Sequence, residues 1–168
     1  MPPEDAPPDY VLPCLLDRLC NDHPGSRQES RNQRVVSMSA YRENVRRDIG
    51  WLLNSKAPRP EDGLAEDEAA SSVANYGLPD LCGRTASGVS ADEMARQMRR
   101  TLLNFEPRII PSSLMVTAIT DADDMSYRAV SFEIRGKLDA SPVPQELNLR
   151  TAVDLETGRW ETEDQRDG

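Results

Sequence analysis

The segment from Ser90 to Ile119 constrains the fold most, because a clearly marked helix turns there into a strand. Ser90 and Glu93 form the pattern of a capping box, which marks the start of a helix. Apolar side chains then recur three and four positions apart: Met94, Met98, Leu102 and Phe105. Because Pro107 disfavours helical backbone at Glu106, we expect the helix to end there. The segment therefore predicts one buried helical stripe, a sharp corner and a strand.

The corner Phe105-Glu106-Pro107-Arg108 places a carboxylate and a guanidinium on either side of a rigid ring. We expect Glu106, Pro107 and Arg108 to contact another protein through this corner. The alternative is a salt bridge between Glu106 and Arg108 within the chain, since an exposed ion pair contributes only about 0–1 kcal/mol. The chain carries no comparable constellation for catalysis, a cofactor or a metal.

Composition limits the other functions that we considered. The 168 residues fit one domain, and the net charge of -9 argues against nucleic acid as a partner. Three cysteines and one histidine favour neither a disulfide framework nor a zinc site. The N-terminus does not resemble a signal peptide, and no apolar stretch approaches the ~20 residues of a membrane span. We therefore expect a cytoplasmic protein without a membrane insertion or a small-molecule substrate.

Periodicity predicts an α+β fold, with three N-terminal helices packed on one face of a small, mainly antiparallel sheet of three to four strands. The first helix contains a leucine stripe within residues 11–19, and the second begins at an N-cap that we place at Ser39. The strand of residues 114–119 is apolar on both faces, which predicts a central position. The last strand, residues 147–155, carries Arg150 and Asp154 on its polar face.

The domain boundaries follow from where the patterns stop. Residues 1–10 are rich in proline and acid, and residues 161–168 are almost wholly polar, so we expect both ends to be disordered. Residues 11–160 are predicted to form a single domain, interrupted by an acidic loop at about 55–70 that is most charged at 58–70. The acidic run of residues 121–124 is interpreted as a solvated turn.

At these residues the chain resembles the baseplate wedge subunits of type VI secretion systems (TssE), part of a phage tail baseplate family once labelled lysozyme-like. Four segments carry the resemblance: Leu15-Leu16-Asp17-Arg18-Leu19, Asp48-Ile49-Gly50-Trp51-Leu52-Leu53-Asn54, Val73-Ala74-Asn75-Tyr76-Gly77-Leu78-Pro79-Asp80-Leu81 and Phe105-Glu106-Pro107-Arg108. Together with the alternating strands and Asp154-Leu155-Glu156-Thr157-Gly158, they cover roughly residues 12 to 158 in family order.

The resemblance implies a structural role. Proteins of this family sit in a baseplate wedge and form the platform on which a contractile sheath begins to polymerise, so baseplate wedge proteins and sheath subunits are the expected partners. The family's Glu-Pro-Arg signature falls on Glu106, Pro107 and Arg108, and is associated with contacts that hold the wedge together. The resemblance also implies that the cytoplasmic protein assembles on a membrane-anchored baseplate.

Several alternatives stay open at the level of sequence. Trp51 lies toward the flank of its helix stripe and is either a core residue or a contact with a wedge partner. Arg150 and Asp154 either protect a sheet edge from pairing or steer a strand of a sheath subunit onto it. The rival functions are a peptidoglycan hydrolase, suggested by the old family label, and a small adaptor that binds a regulatory protein.

Overall fold

The computed structural model describes residues 10–20, 35–58, 71–79, 90–119, 129–140 and 143–165. Within them the helices are α1 (Leu15–Leu19), α2 (Met38–Asn54) and α3 (Ala91–Phe105), with 3₁₀ turns at Val73–Asn75 and Pro111–Ser113. The strands are β1 (Tyr10–Val11), β2 (Val36–Ser37), β3 (Met115–Ile119), β4 (Ala129–Leu138), β5 (Gln145–Asp154) and β6 (Trp160–Asp164). This part of the chain is α+β, as the sequence predicts.

The two long helices begin at serine caps. The Ser90 hydroxyl accepts a hydrogen bond from the Glu93 N–H at 3.4 Å, so the predicted start of α3 is confirmed. For α2 the predicted cap is wrong by two residues, because the Ser37 hydroxyl accepts from the Ala40 N–H at 3.3 Å. Strand β2 therefore leads directly into α2.

The apolar stripes of α2 and α3 join one face of the sheet in a single core. The buried residues of the helices are Tyr41, Val45, Ile49, Leu52, Leu53, Met94, Ala95, Met98 and Leu102. Alternate residues of the inner strands complete the core: Phe132, Ile134, Leu138, Leu147, Leu149 and Val153. The opposite face of β4 and β5 carries the polar residues of the alternation, so the sheet has one apolar and one wet face.

Helix α1 departs from the prediction, because none of its residues is buried. The expected leucine stripe lies outward: Leu12, Leu15, Leu16 and Leu19 are all among the exposed large apolar side chains. The expectation of three helices packed on the sheet is therefore not met by α1, which contacts α2 through polar groups.

The larger sheet is antiparallel, and its strand order is β3-β4-β5-β6. Strand β3 is consequently an edge strand, and the predicted central position is wrong. The strand that sequence analysis took as the last one, β5, pairs on both sides and lies inside the sheet. Residues 161–164, which were expected to be disordered, belong to the true last strand, β6.

Some sequence predictions lie outside the described residues. They concern the N-terminal nine residues, most of the acidic loop at residues 59–70, the acidic turn at residues 121–124 and the last three residues. None of the helices in the described ranges is long and apolar enough to cross a membrane.

Candidate functional site

The Glu-Pro-Arg corner is held by main-chain hydrogen bonds on both sides. The Glu106 N–H donates to the Leu102 carbonyl at 2.9 Å and closes α3. Beyond the exposed ring of Pro107, the Arg108 carbonyl accepts from the Asp139 N–H at 2.7 Å, at the end of β4. Since both ends of the corner are fixed to core elements, the side chains of Glu106 and Arg108 start from a defined backbone.

Glu106 and Arg108 pair with each other. Arg108 Nε and Nη2 donate to the two carboxylate oxygens of Glu106, each at 2.6 Å, and the Arg108 N–H donates to Glu106 Oε1 at 3.2 Å. The Glu106 residue is only 4% exposed, whereas the Arg108 side chain is 19% exposed. The structure thus has the internal salt bridge that was the alternative, and only Pro107 and part of Arg108 reach the surface. Contact of Glu106, Pro107 and Arg108 with a partner stays a prediction.

Asp48, on α2, is the second partner of Arg108. Asp48 Oδ2 accepts from Arg108 Nη2 at 2.7 Å, and Asp48 Oδ1 accepts from Arg47 Nη2 at 2.8 Å. One carboxylate thus serves two guanidinium groups through different oxygens. The arrangement joins the end of α3 to the middle of α2.

The same row of charges continues to α1. Arg47 Nη1 lies 2.9 Å from Asp17 Oδ1, and Asp17 Oδ2 accepts from Asn44 Nδ2 at 2.9 Å. The Cys14 thiol donates to Asp17 Oδ2 at 2.8 Å, at the N-cap of α1. We call the alternating series Asp17, Arg47, Asp48, Arg108 and Glu106 the ion-pair chain. The ion-pair chain joins α1 to α2 and to the corner, whereas no residue of α1 is buried in the apolar core.

The pKa values follow from these contacts. Burial lowers the pKa of Arg108, but hydrogen bonds and charge interactions with Glu106 and Asp48 outweigh it, so the net shift is upward. The hydrogen bond to Asp17, opposed by burial and assisted by Asp48, likewise raises the pKa of Arg47. For Asp17, burial raises the pKa, but the thiol of Cys14 and the guanidinium of Arg47 lower it by more, so the net shift is downward. Asp17 and both guanidinium groups are therefore charged at neutral pH.

One hydrogen-bond donor of the Arg108 guanidinium has no acceptor among the described residues. Arg108 Nη1 is buried and has no hydrogen-bond partner in the part of the chain that the structure describes. Glu106 and Asp48 occupy the other edge of the guanidinium, at Nε and Nη2. An unpaired buried donor costs about 1–3 kcal/mol, so the corner is not optimal for the isolated chain.

The four segments that carried the family resemblance meet at this corner. Asp17, Asp48 and the Glu-Pro-Arg signature supply the ion-pair chain. The third segment contributes the Tyr76 ring, which packs edge-on against Phe105 with centroids 5.4 Å apart. Segments scattered along the sequence therefore build one structural unit. Asp17, Arg47 and Asp48 are not among the site residues that the sequence predicts, although Asp17 and Asp48 lie inside those segments.

Trp51 lies on the surface rather than in the core, with 51% of the residue exposed. The guanidinium carbon of Arg47 lies 4.8 Å from the centre of its ring, which is the distance of a cation–π contact. Trp51 borders an open groove of about 390 Å³ between α2 and β6 that Gly50, Asn54 and Trp160 also line. The alternative of a core tryptophan is thereby excluded, and a role in binding stays a prediction.

The two edges of the sheet differ in how they are covered. At β6, Asn54 from α2 both accepts from the Trp160 N–H at 3.1 Å and donates to the Trp160 carbonyl at 3.0 Å. Arg46 Nη1 donates to the Thr162 carbonyl at 3.0 Å. Side chains of α2 therefore occupy outward main-chain groups of β6, which protects that edge from pairing.

At β3, Arg99 of α3 donates to the Leu114 carbonyl at 3.1 Å directly before the strand, but the outward main-chain groups within the strand are open. In β4, the Lys137 carbonyl accepts from the Ile110 N–H and the Lys137 N–H donates to the Ser113 hydroxyl, so both groups point to the side of β3. Arg135, two residues earlier, therefore also directs its main-chain groups toward its partner Met115 in β3. The N–H and C=O groups of Val116 and Ala118 consequently point away from β4. Among the described residues, none hydrogen-bonds to these groups.

Arg150 and Asp154 do not lie at an open edge. Arg150, on inner strand β5, faces Glu133 of β4 on one side and Glu163 of β6 on the other. The Asp154 carboxylate accepts from the N–H groups of Glu156 and Thr157 and closes the turn into β6. The structure thus gives both residues local roles, and their contact with a partner stays a prediction.

Within the described residues, no group of three or more His, Cys, Asp or Glu side chains is arranged to hold a metal ion.

Comparison with known proteins gives the family to which this chain is similar. No curated protein and no solved structure gives a significant match to the chain. A family model described as baseplate wedge protein gp25 matches residues 39–143, which is more than half of the chain and includes Asp48, Tyr76 and the Glu-Pro-Arg corner. The chain therefore belongs to the gp25 family of baseplate wedge proteins, which are structural components of phage-tail-like baseplates.

Proposed function

We propose that this chain is the TssE-type wedge subunit of a type VI secretion baseplate, and that it joins the wedge to the contractile sheath without catalysing a reaction. Family membership supports the baseplate role, and the order of the four resemblance segments supports the secretion system. Its partners in this proposal are baseplate wedge proteins and sheath subunits, on a membrane-anchored baseplate in the cytoplasm.

The observation that carries the docking part of the proposal is the state of Arg108. Glu106 and Asp48 orient its guanidinium, the side chain is partly exposed beside the exposed ring of Pro107, and Nη1 has no acceptor among the described residues. A wedge partner supplies that acceptor after small rotamer changes of the side chains that cover Nη1, which are common at interfaces, while Glu106 and Asp48 keep Arg108 in place. Glu106 contributes by holding Arg108 and not by touching the partner. Trp51 is proposed as a second contact.

The sheath part of the proposal depends on the edge of β3. Main-chain hydrogen bonds to an added strand give affinity without a demanding sequence, and such addition needs an uncovered edge. The outward groups of Val116 and Ala118 provide it, whereas α2 covers groups of β6. We therefore place strand addition by the first sheath layer at β3, and Arg150 and Asp154 act only through the stability of the sheet and its turn.

The docking role is tested with two charge reversals. Arg108→Glu is co-expressed with the wedge subunits encoded beside this chain, and the amount of chain in the purified complex is measured. Arg135→Glu is the matched control, because Arg135 is exposed on the wet face and pairs with Glu133 at 2.7 Å. Because the reversal places a third carboxylate beside Glu106 and Asp48 and lowers stability, Arg108→Gln is measured beside it. We expect each Arg108 variant that circular dichroism shows to be folded to be lost from the complex, while Arg135→Glu is retained. Normal retention of folded Arg108→Glu contradicts the docking role.

A further inference from the structure

We infer that Asp48 is the positioning residue of the docking corner: it holds Arg108 in the orientation that the wedge partner meets. This inference rests on the proposed function, and it adds a residue on a different helix from the signature. Asp48 does not need to touch the partner in this account. It acts through Arg108, and through Arg47 it also extends the ion-pair chain to α1.

The first support is that Glu106 alone leaves the guanidinium incompletely fixed. Glu106 binds Nε and Nη2, but it is only two residues from Arg108 and belongs to the same corner. Asp48 contacts Nη2 at 2.7 Å from α2, across 60 residues of sequence. A contact from a second element adds a constraint on the direction of the fork that the local pair with Glu106 does not supply.

The second support is that Asp48 is itself held. Its other oxygen accepts from Arg47 Nε at 3.0 Å and Nη2 at 2.8 Å. The Asp48 side chain is 18% exposed, so water competes weakly for its oxygens. A carboxylate fixed by one arginine is a rigid acceptor for the other, and pre-organisation of this kind lowers the ordering cost of binding.

The third support concerns charge. The Asp48 carboxylate contacts both Arg47, at 2.8 Å, and Arg108, at 2.7 Å, and so attracts the two guanidinium groups to the same point of α2. Without its charge, Asp17 and Glu106 still pair with one arginine each, but nothing among these carboxylates draws Arg108 toward α2. The orientation of Arg108 therefore depends on the charge of Asp48 as well as on its hydrogen bonds.

A double-mutant cycle on partner affinity tests the inference. The wedge partners are purified as a complex without this chain, and the affinities of the parent, Asp48→Asn, Arg108→Gln and the double variant are measured by titration. We expect Asp48→Asn to weaken binding roughly tenfold, and to have no further effect in the Arg108→Gln background. Glu133→Gln, which removes a carboxylate that pairs with an exposed arginine, is the control that leaves affinity unchanged.

The outcomes separate this inference from the proposed function. If Arg108→Gln binds like the parent, the docking role itself fails. If Arg108→Gln weakens binding but Asp48→Asn does not, or if the two effects add in full, Asp48 is not a positioning residue. If Asp48→Asn does not fold, Asp48→Glu and Asp48→Gln are compared instead, because their side chains are equally long and differ in charge. Higher affinity for the partner in Asp48→Glu than in Asp48→Gln supports the inference, and equal affinities overturn it.

Discussion

Asp48 Oδ2 lies 2.7 Å from Arg108 Nη2, although 60 residues separate the two in sequence. This contact joins the second and fourth of the segments that identify the family. It also places the signature arginine between two carboxylates of its own chain. The Glu-Pro-Arg corner is therefore an internal junction of α2 and α3, and the proposed docking role depends on the part of Arg108 that these two carboxylates do not bind.

The contact predicts a stability effect. Replacing Asp48 by Ala leaves both Arg47 and Arg108 without one of their partners in a partly buried site, so we expect the free energy of unfolding to fall by about 1–3 kcal/mol. Urea denaturation followed by circular dichroism measures the change. Glu133→Ala removes a carboxylate from the wet face and should cost less than about 1 kcal/mol. Equal losses for the two variants would show that the ion-pair chain is no stronger than a surface pair.

The turn before α3 gives a second prediction. Gly77 has a φ of 121°, and a Cβ at this position would lie 2.2 Å from the Ser55 carbonyl oxygen. Gly77→Ala should therefore lower the free energy of unfolding by about 1–3 kcal/mol or more, since both the backbone and the contact become strained. Gly50→Ala is the matched control: Gly50 is helical with nothing within 4 Å of its Cβ position, so alanine should be neutral or stabilising by up to about 1 kcal/mol. Thermal unfolding measures both variants, and we expect Gly77→Ala to melt at a lower temperature than Gly50→Ala. The reverse order would contradict the prediction.

Asp17 gives a prediction about pH. Its pKa is lowered below the ordinary value of 3.8 in the folded protein, so it contributes stability above pH 3.8 that is lost as the pH falls through the folded value. Protonation removes the charge that Arg47 Nη1 contacts, while Asp48 keeps Nε and Nη2, and Arg47 also stacks on Trp51. We expect the fluorescence of the exposed Trp51 to change below pH 3.8, and the change to be absent from Asp17→Asn and Trp51→Phe. A change that survives in Asp17→Asn would assign it to another group.

The open edge of β3 predicts a selective effect of proline. Ala118→Pro removes an N–H that points away from β4, so the ladder within the sheet is kept while one donor for an added strand is lost. We expect normal secondary structure and a marked loss of sheath polymerisation from purified baseplates. Ala118→Ser keeps the N–H and is the control. Normal polymerisation with folded Ala118→Pro would remove β3 as the receiving edge.

Local patterns predicted the parts of the fold that depend on local chemistry. The Ser90 cap, the apolar stripe of α3 and the polar face of β5 with Arg150 and Asp154 are confirmed, because helix and strand periods report which face is buried. Strand order is not local. Met115 is 59% exposed although it is apolar, so the apolar pattern of β3 predicted a central strand where the structure has an edge.

The site was only partly predictable for the same reason. The sequence shows that Glu106 and Arg108 flank a rigid ring, but it does not show which carboxylates Arg108 meets. Asp48 and Asp17 lie on other helices, and nothing within their own turns of helix marks them as members of an ion-pair chain. The exposed leucines of α1 were misread because a stripe of leucines predicts a buried face, while α1 is held by the charge of Asp17 instead.

The docking role of the corner is tested most directly by imaging the complex of this chain with its co-expressed wedge partners by electron cryomicroscopy. The account predicts a partner acceptor atom within hydrogen-bond distance of the Arg108 guanidinium, with Asp48 and Glu106 still bound to it. A well-resolved complex in which the Glu-Pro-Arg corner faces solvent, and the partners contact other surfaces of the chain, would contradict it.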